Sequence, residues 1–326
     1  MIFIDSSFKN IDKAKKEHSK IVLKYLNIHR SKDTPISRFI IKNKEVLING
    51  SPQEIYDLNL KFYAAIPNST RRGFIDYLRI CSLKPSKRTD AEQTKYLKYK
   101  SLNSKIEPIV NYDNWFTSSY KQYDYTLAKN LDRSTCTYCN RIYTNTMVSK
   151  EGRKLMRPQF DHWFPKSIFP LLALSFYNLI PSCSICNSTA KSNTIFLLNT
   201  HLHPYNSLDA LNNFTFSYKQ DKSTNTYRVE INFALGNSKS IKTYTDLNIK
   251  EIYNAHLSEL SDLLEIKNSY SVNYIKSLMS AYPNANLSYE ETYRLVFGTE
   301  YDIRDFHKRP FSKFKKDILA ELKLIS

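Results

Sequence analysis

Cys136-Thr-Tyr-Cys139, Phe160-Asp161-His162-Trp163-Phe164-Pro165, Asn178-Leu179-Ile180-Pro181, and Cys183-Ser-Ile-Cys186-Asn187 with Lys191 follow one another within a short stretch of the chain. The reading of this stretch decides the fold. A thiolate is a soft anionic ligand, and zinc takes four in a tetrahedron. C-x-x-C places two sulfurs on one tight knuckle, so Cys136 with Cys139 and Cys183 with Cys186 complete a four-sulfur shell. Each knuckle is followed by Asn (Asn140, Asn187), a residue that tolerates turn geometry. A redox C-x-x-C would open a helix after a strand in a βαβ unit, and neither pair does. Four thiolates leave no open position, so this zinc is expected to be structural. It closes a long loop, and whatever is folded inside that loop is held at both ends.

Inside the loop lie Asp161, His162 and Asn178. Pro158 to His162 reads as a strand, Tyr177 to Pro181 as a second, and a helix is expected to begin near Asn187. That order gathers Asp161, His162 and the helix start around one cleft. Phosphodiester hydrolysis needs a nucleophile made from water and a means of placing charge on the leaving oxygen. A neutral His near pH 7 suits the first task, as general base. An oxygen-ligated divalent ion, Mg²⁺ or Mn²⁺, suits the second. Asp161 offers a carboxylate beside the base, and Asn187 an amide oxygen. Asn178 suits hydrogen bonding to backbone, fixing the loop that aims His162. Lys191 and Lys166 are candidate phosphate contacts. The metal would support a leaving 3′-oxygen, so the product would carry a 5′-phosphate.

The order Cys-x-x-Cys, Asp-His-x-x-Pro, Asn-Leu, Cys-x-x-Cys-Asn, Lys resembles the HNH endonucleases of the ββα-metal superfamily, over roughly residues 136 to 205. By that resemblance His162 stands at the first His, Asn178 at the middle Asn and Asn187 at the final His. Asp161 matches the metal-binding Asp that precedes the first His. Asn at the last position departs from the literal H-N-H letters while still supplying a metal ligand. The basic position after the second knuckle falls one residue later, at Lys191. The stretches around Phe160 to Ser167 and Leu174 to Cys183 are similar to HNH subunits of bacterial anti-phage defence, of the Septu-like and retron-associated kind. That similarity implies an ATPase partner of the ABC/SMC type.

The chain has 326 residues and a formal charge of +17. A surplus of that size favours polyanions, nucleic acid before an anionic membrane; a Lys-rich surface with no such partner is the plainer alternative. DNA is the expected substrate, ahead of RNA. The first dozen residues lack the pattern of a signal peptide, and no apolar run approaches the roughly 20 residues of a membrane helix. A cytoplasmic location is expected. In that compartment four of the five cysteines read as metal ligands rather than disulfides, and Cys81 as a buried thiol.

The expected architecture is α+β in three parts. Residues 1–130 form a basic, mainly helical region, 131–206 the zinc-stapled nuclease core, and 207–326 a β-hairpin with helices. In the first part, Ile11, Ala14, His18, Ile21 and Tyr25 keep a helical period. Residues 37 to 49 read as two short strands around a turn at Asn43-Lys44. Ser51-Pro52 with Glu54 marks a helix start, and Arg71 to Ser82 a further helix. Residues 84 to 106 mix Lys and Arg with Tyr96 and Tyr99, which suits phosphate contacts with stacking, though a solvated amphipathic helix face is the plainer reading and stands ahead of it. Asn111 to Leu131, rich in aromatics, is expected to dock the first part on the core.

In the third part, Asn213 to Tyr218 and Tyr227 to Leu235 read as a hairpin around Asp221 to Asn225. A helical stretch covers 248 to 280. Ser288-x-x-Glu291 is a capping box for a helix stopped by Gly298, and Phe311 to Ile325 a basic amphipathic tail. His201 and His203 could stand near the phosphate or merely shape their loop. His18, His29, His256 and His307 belong to no constellation. A different class remains open, a zinc-stapled nucleic-acid-binding module without cleavage. Binding alone needs none of Asp161, His162 and Asn187, which counts against it.

Overall fold

A computed structural model describes residues 3–28, 33–118, 120–192, 194–206, 213–269, 274–281 and 287–325; His29 lies outside them. Helix α1 (Lys9–Ile28) buries Ile11, Ala14, His18, Val22, Tyr25 and Leu26, a stripe that turns toward Val22 rather than Ile21. Two helices follow, α2 (Pro35–Lys42) and α3 (Lys44–Asn49), where the sequence suggested strands. Thr34 caps α2 through its hydroxyl to the Ser37 amide at 3.1 Å, with Pro35 in the first turn. Those two residues outweigh the β propensity of the apolar run behind them. In α4 (Pro52–Ala65), Ser51 and Glu54 complete a reciprocal capping box.

Helix α5 (Arg71–Cys81) packs against α6 (Asp90–Ser104). Tyr63 and Phe74 stack at 4.0 Å between ring centroids, and Tyr77 and Tyr99 at 5.3 Å. Gly73 is required at this approach, because a Cβ there would meet the Tyr99 hydroxyl at 2.2 Å. Tyr99 is therefore core rather than a stacking platform for bases, and Tyr96 lies half-buried beneath the Arg88 guanidinium, 4.0 Å from its ring centre. The last helix of this region, α7 (Tyr123–Leu131), packs on α1.

The centre holds two small antiparallel pairs. Met147–Val148 (β1) pairs with Lys154–Met156 (β2), and Gln159–His162 (β3) with Leu179–Ser182 (β4). The second register places Asp161 opposite Ile180 and His162 opposite Leu179. All four β4 residues are buried. The helical layer grips the loop between these strands at three points. Asn103 donates to the carbonyls of Ser167 and Ile168, each at 3.2 Å. His18 Nε2 donates to the Leu174 carbonyl at 2.8 Å, and the Ser175 hydroxyl to that of Leu47.

A third pair, Phe214–Asp221 (β5) with Thr226–Phe233 (β6), is the hairpin expected from the alternation. Its second strand stops at Phe233, and Leu235 is fully exposed. Asn254, at the end of the helix Ile249–Asn254, satisfies both main-chain groups of Val229 at 2.9 and 3.1 Å. The helix Ser312–Glu321 buries Phe314, Ile318 and Leu319, and its Asp317 accepts from the Phe216 amide at 2.9 Å. The basic tail is thus packed on the hairpin. Between them run helices Ser238–Asp246, Leu257–Ser269, Tyr274–Ala281 and Tyr289–Phe297, the last capped by Ser288 with Glu291 and ended by Gly298 at φ 69°. Mixed helices with small antiparallel pairs fit an α+β class. One buried cluster runs from Ile4 to Ile325 through all three regions. Among the described residues no helix is long and apolar enough to cross a membrane.

Candidate functional site

The four cysteines of the two knuckles are buried together, with every sulfur within 4.8 Å of the others. Cys139 and Cys183 Sγ lie 4.0 Å apart. A zinc–sulfur bond of about 2.3 Å gives a tetrahedron with edges of about 3.8 Å, so this donor set fits zinc. Burial pushes the Cys136 thiol up; a bound cation is what holds such a sulfur as thiolate.

Local backbone builds each knuckle. The Asn140 amide returns to the Cys136 carbonyl at 2.9 Å, and Asn140 sits at φ 51°. Its side chain donates to Thr135 Oγ1 and to the carbonyls of Phe306 and Arg309, which ties the knuckle to the C-terminal region. In the second knuckle the Asn187 amide donates to the Cys183 carbonyl at 3.0 Å, and the Cys186 amide to Cys183 Sγ at 3.4 Å. Cys81, the remaining cysteine, is half-buried with its thiol pushed up by burial.

Strand β3 carries Asp161 and His162 beside this cluster. His162 is 7% exposed, and its Nε2 lies 3.0 Å from the Ala173 carbonyl. A carbonyl only accepts, so Nε2 carries the hydrogen and Nδ1 the lone pair. Tyr112 packs against the ring, 4.5 Å between centroids. Burial above all lowers its pKa to about 4, against the opposing pull of the Ala173 bond and Asp161. The imidazole is neutral at pH 7.

Asn178 is fully buried and holds the loop behind the histidine. Its Oδ1 accepts from the Phe164 amide at 2.7 Å, and its Nδ2 donates to the carbonyls of Leu172 and Phe164. Ala173, the carbonyl partner of His162, follows Leu172 directly. Asn187 is partly exposed, and its Nδ2 donates to Gln159 at 2.9 Å. Among the described residues its amide oxygen takes no hydrogen bond. The helix expected at Asn187 is a seven-residue π-type turn, Ile185–Lys191, with Ser192 at φ 44° after it.

Lys191 is not at the surface. It is 1% exposed, and its ammonium meets Asp161 Oδ1 at 3.0 Å, Oδ2 at 2.8 Å and the His162 carbonyl at 2.6 Å. Tyr138, inside the first knuckle, donates to Asp161 Oδ2 at 2.5 Å. The lysine therefore holds Asp161 and does not reach toward a substrate phosphate. With an ammonium and a hydroxyl on its two oxygens, Asp161 as arranged does not fit a divalent ion.

Asp161, His162, Lys166, Asn187 and Lys191 line one cleft of about 430 Å³ with Arg157. Lys166 is half-exposed and pairs with Asp113. Arg157 bonds Asp124 at 2.7 Å. Asn178 lies behind the cleft, and the loop histidines lie away from it. His201 donates to Asp246 at 2.9 Å and stacks on Phe196, and His203 packs against Trp163 with its pKa lowered to about 3 by burial. Tyr138, Tyr112 and Arg157 escaped the sequence reading. For Tyr138 a signal existed, an aromatic enclosed between two ligand cysteines.

No protein-family model, curated protein or solved structure matches this chain.

Proposed function

We propose that the chain is an endonuclease that hydrolyses phosphodiester bonds of DNA, built on a zinc-stapled core of the HNH kind. One observation carries the reading. His162 is a neutral imidazole, oriented through Nε2 by a main-chain carbonyl, in the wall of a cleft that also presents Arg157, Lys166 and the Asn187 amide. Nδ1 of such a ring can take a proton from water as that water attacks phosphorus. Arg157 and Lys166 supply positive charge beside the phosphate; Lys166 pairs with the exposed Asp113, which a phosphate can replace, whereas Arg157 acts from its pair with the buried Asp124. Zinc at Cys136, Cys139, Cys183 and Cys186 supplies structure and no open coordination position. Lys191 and Tyr138 hold both oxygens of Asp161, so the Mg²⁺ or Mn²⁺ ion that the motif implies at Asp161 and Asn187 does not fit there as the residues stand.

The test is incubation of an end-labelled DNA duplex with the protein under Mn²⁺, with and without chelator, beside His162→Ala. Cleavage to 5′-phosphate ends that the variant loses supports the reading. Stable binding with no cleavage by zinc-loaded protein favours a second one, a nucleic-acid-binding module, to which the neutralised Asp161 lends support. An ATPase partner of the ABC/SMC type and a role in anti-phage defence belong to the same proposal. Their test is whether cleavage rises when such an ATPase, encoded beside this chain, is added.

A further inference from the structure

A second cavity adjoins the cleft of His162. Its volume is about 360 Å³, and it shares Tyr112, Asp113, Lys166 and Ser167 with the cleft. Its floor is apolar and buried, made by Val110, Pro170 and Ala173, and its rim is polar, with Glu107 and Asn114 exposed. An apolar floor with a few directed polar groups is the make-up of a small-molecule site. Ala173 is the residue whose carbonyl orients His162, and Tyr112 packs on the imidazole at 4.5 Å between centroids. An occupant would thus rest on residues that hold the imidazole. Charge divides the two spaces. The cleft sets Arg157, Lys166 and Lys191 against Asp113 and Asp161, and the cavity sets Lys166 against Glu107 and Asp113. A phosphate is drawn to the first and repelled from the second. Lys166 pairs with Asp113, which leaves Glu107 as the uncompensated charge of the cavity. Among the described residues neither its carboxylate nor the Asn114 side-chain amide has a partner.

We propose that this cavity is a subsite for an unpaired guanine next to the phosphate held in the cleft; its place beside that phosphate rests on the nuclease reading. A carboxylate accepts hydrogen bonds and donates none. Two adjacent N–H donors match it, and guanine alone of the four DNA bases presents them, at N1 and the 2-amino group. Thymine has one N–H on that edge. Adenine and cytosine set each amino donor beside a ring nitrogen whose lone pair would face the carboxylate. Hydrogen bonds to an ionised acceptor are the strong ones. The Asn114 amide is free to donate to O6 of the same ring. In a duplex that edge is occupied by cytosine, so the base must be single-stranded or swung out of its stack. Val110 and Pro170 offer apolar surface to the flat face of the ring. No rearrangement of the chain is required, because Glu107 already stands exposed at the cavity.

The test is binding of the labelled pentanucleotides d(TTGTT), d(TTATT), d(TTCTT) and d(TTTTT) to the full zinc-loaded chain, followed by fluorescence anisotropy. No divalent ion is added, and salt near about 0.15 M weakens contacts made to phosphate alone. The guanine oligonucleotide is expected to bind at least about tenfold more tightly than the other three. Its inosine counterpart, which lacks the 2-amino group, should lose most of that margin. Glu107→Gln should bring the four to one affinity. Glu107 is exposed and unpaired among the described residues, so this substitution leaves the fold in place. Equal affinities in the wild type, a guanine preference that survives Glu107→Gln, or the same fall across all four oligonucleotides overturns the proposal. Neither arm requires cleavage. Guanine-selective binding by a protein that cuts nothing would remove the nuclease reading and leave this inference standing, and cleavage by a protein that binds all four alike would do the reverse.

Discussion

Asn178 shows how much of this site depends on a single amide. It lies behind the cleft, yet its two ends fasten Phe164 and Leu172, and the next carbonyl after Leu172 orients the His162 ring. Asn178→Ala leaves buried main-chain groups unpaired and is expected to cost about 2–3 kcal/mol. Urea unfolding with tryptophan fluorescence measures that cost. On the proposed nuclease reading, cleavage should fall as well, through misorientation of His162 rather than loss of a contact with substrate. Motif spacing brings Asp161, His162 and Asn187 to attention at this scale, because ligand and base chemistry restrict the residue types. It does not reveal that Lys191 faces inward. Its position depends on contacts with Asp161 and His162 about thirty residues earlier in the chain, and a lysine after a knuckle reads equally well as a phosphate contact.

Elements were legible where local chemistry decides them. Ser51 with Glu54 and Ser288 with Glu291 each satisfy two orphan amides, a signal carried by two residues, and both appear as capping boxes. The hairpin at 214–233 follows from alternation around a polar turn. Helices α2 and α3 read as strands because Phe39-Ile40-Ile41 and Val46-Leu47-Ile48 are apolar runs too short to show a period; the Thr34-Pro35 cap that opens α2 lies before the first run, and α3 carries no side-chain cap. The end of β6 was overextended to Leu235 for a related reason, since alternation alone does not reveal where the supporting helices stop. The edge of β6 depends on Asn254, which caps both main-chain groups of the buried Val229. Asn254→Ala should destabilise the protein by about 1–3 kcal/mol, read as a lower urea midpoint with an unchanged slope.

At the scale of the whole molecule, the sulfur cluster and the continuous core act together. Asn140 joins the first knuckle to Phe306 and Arg309, and the Tyr253 hydroxyl donates to the Cys139 carbonyl at 2.7 Å. Removal of a metal held by these four sulfurs should therefore loosen the C-terminal region as well as the core. A strong chelator, or Cys183→Ser, is expected to lower the melting temperature in step with zinc content determined by elemental analysis. Stability should also fall in mild acid. Burial lowers His18, His162 and His307 to about 4 and His203 to about 3. These residues are neutral when folded and take up protons near pH 6.5 when unfolded. Their contribution is complete above about pH 6.5 and is lost progressively as the pH falls toward 4. Urea midpoints measured across that window check the sign, and a midpoint that rises on acidification would contradict it.

The nuclease reading meets its most direct test in the nicking of supercoiled plasmid by the pure protein with Mg²⁺ or Mn²⁺, beside His162→Ala of equal zinc content and melting temperature. The account predicts nicking by the wild type and a loss of at least about a hundredfold in the variant. Nicking by His162→Ala at the wild-type rate would contradict it.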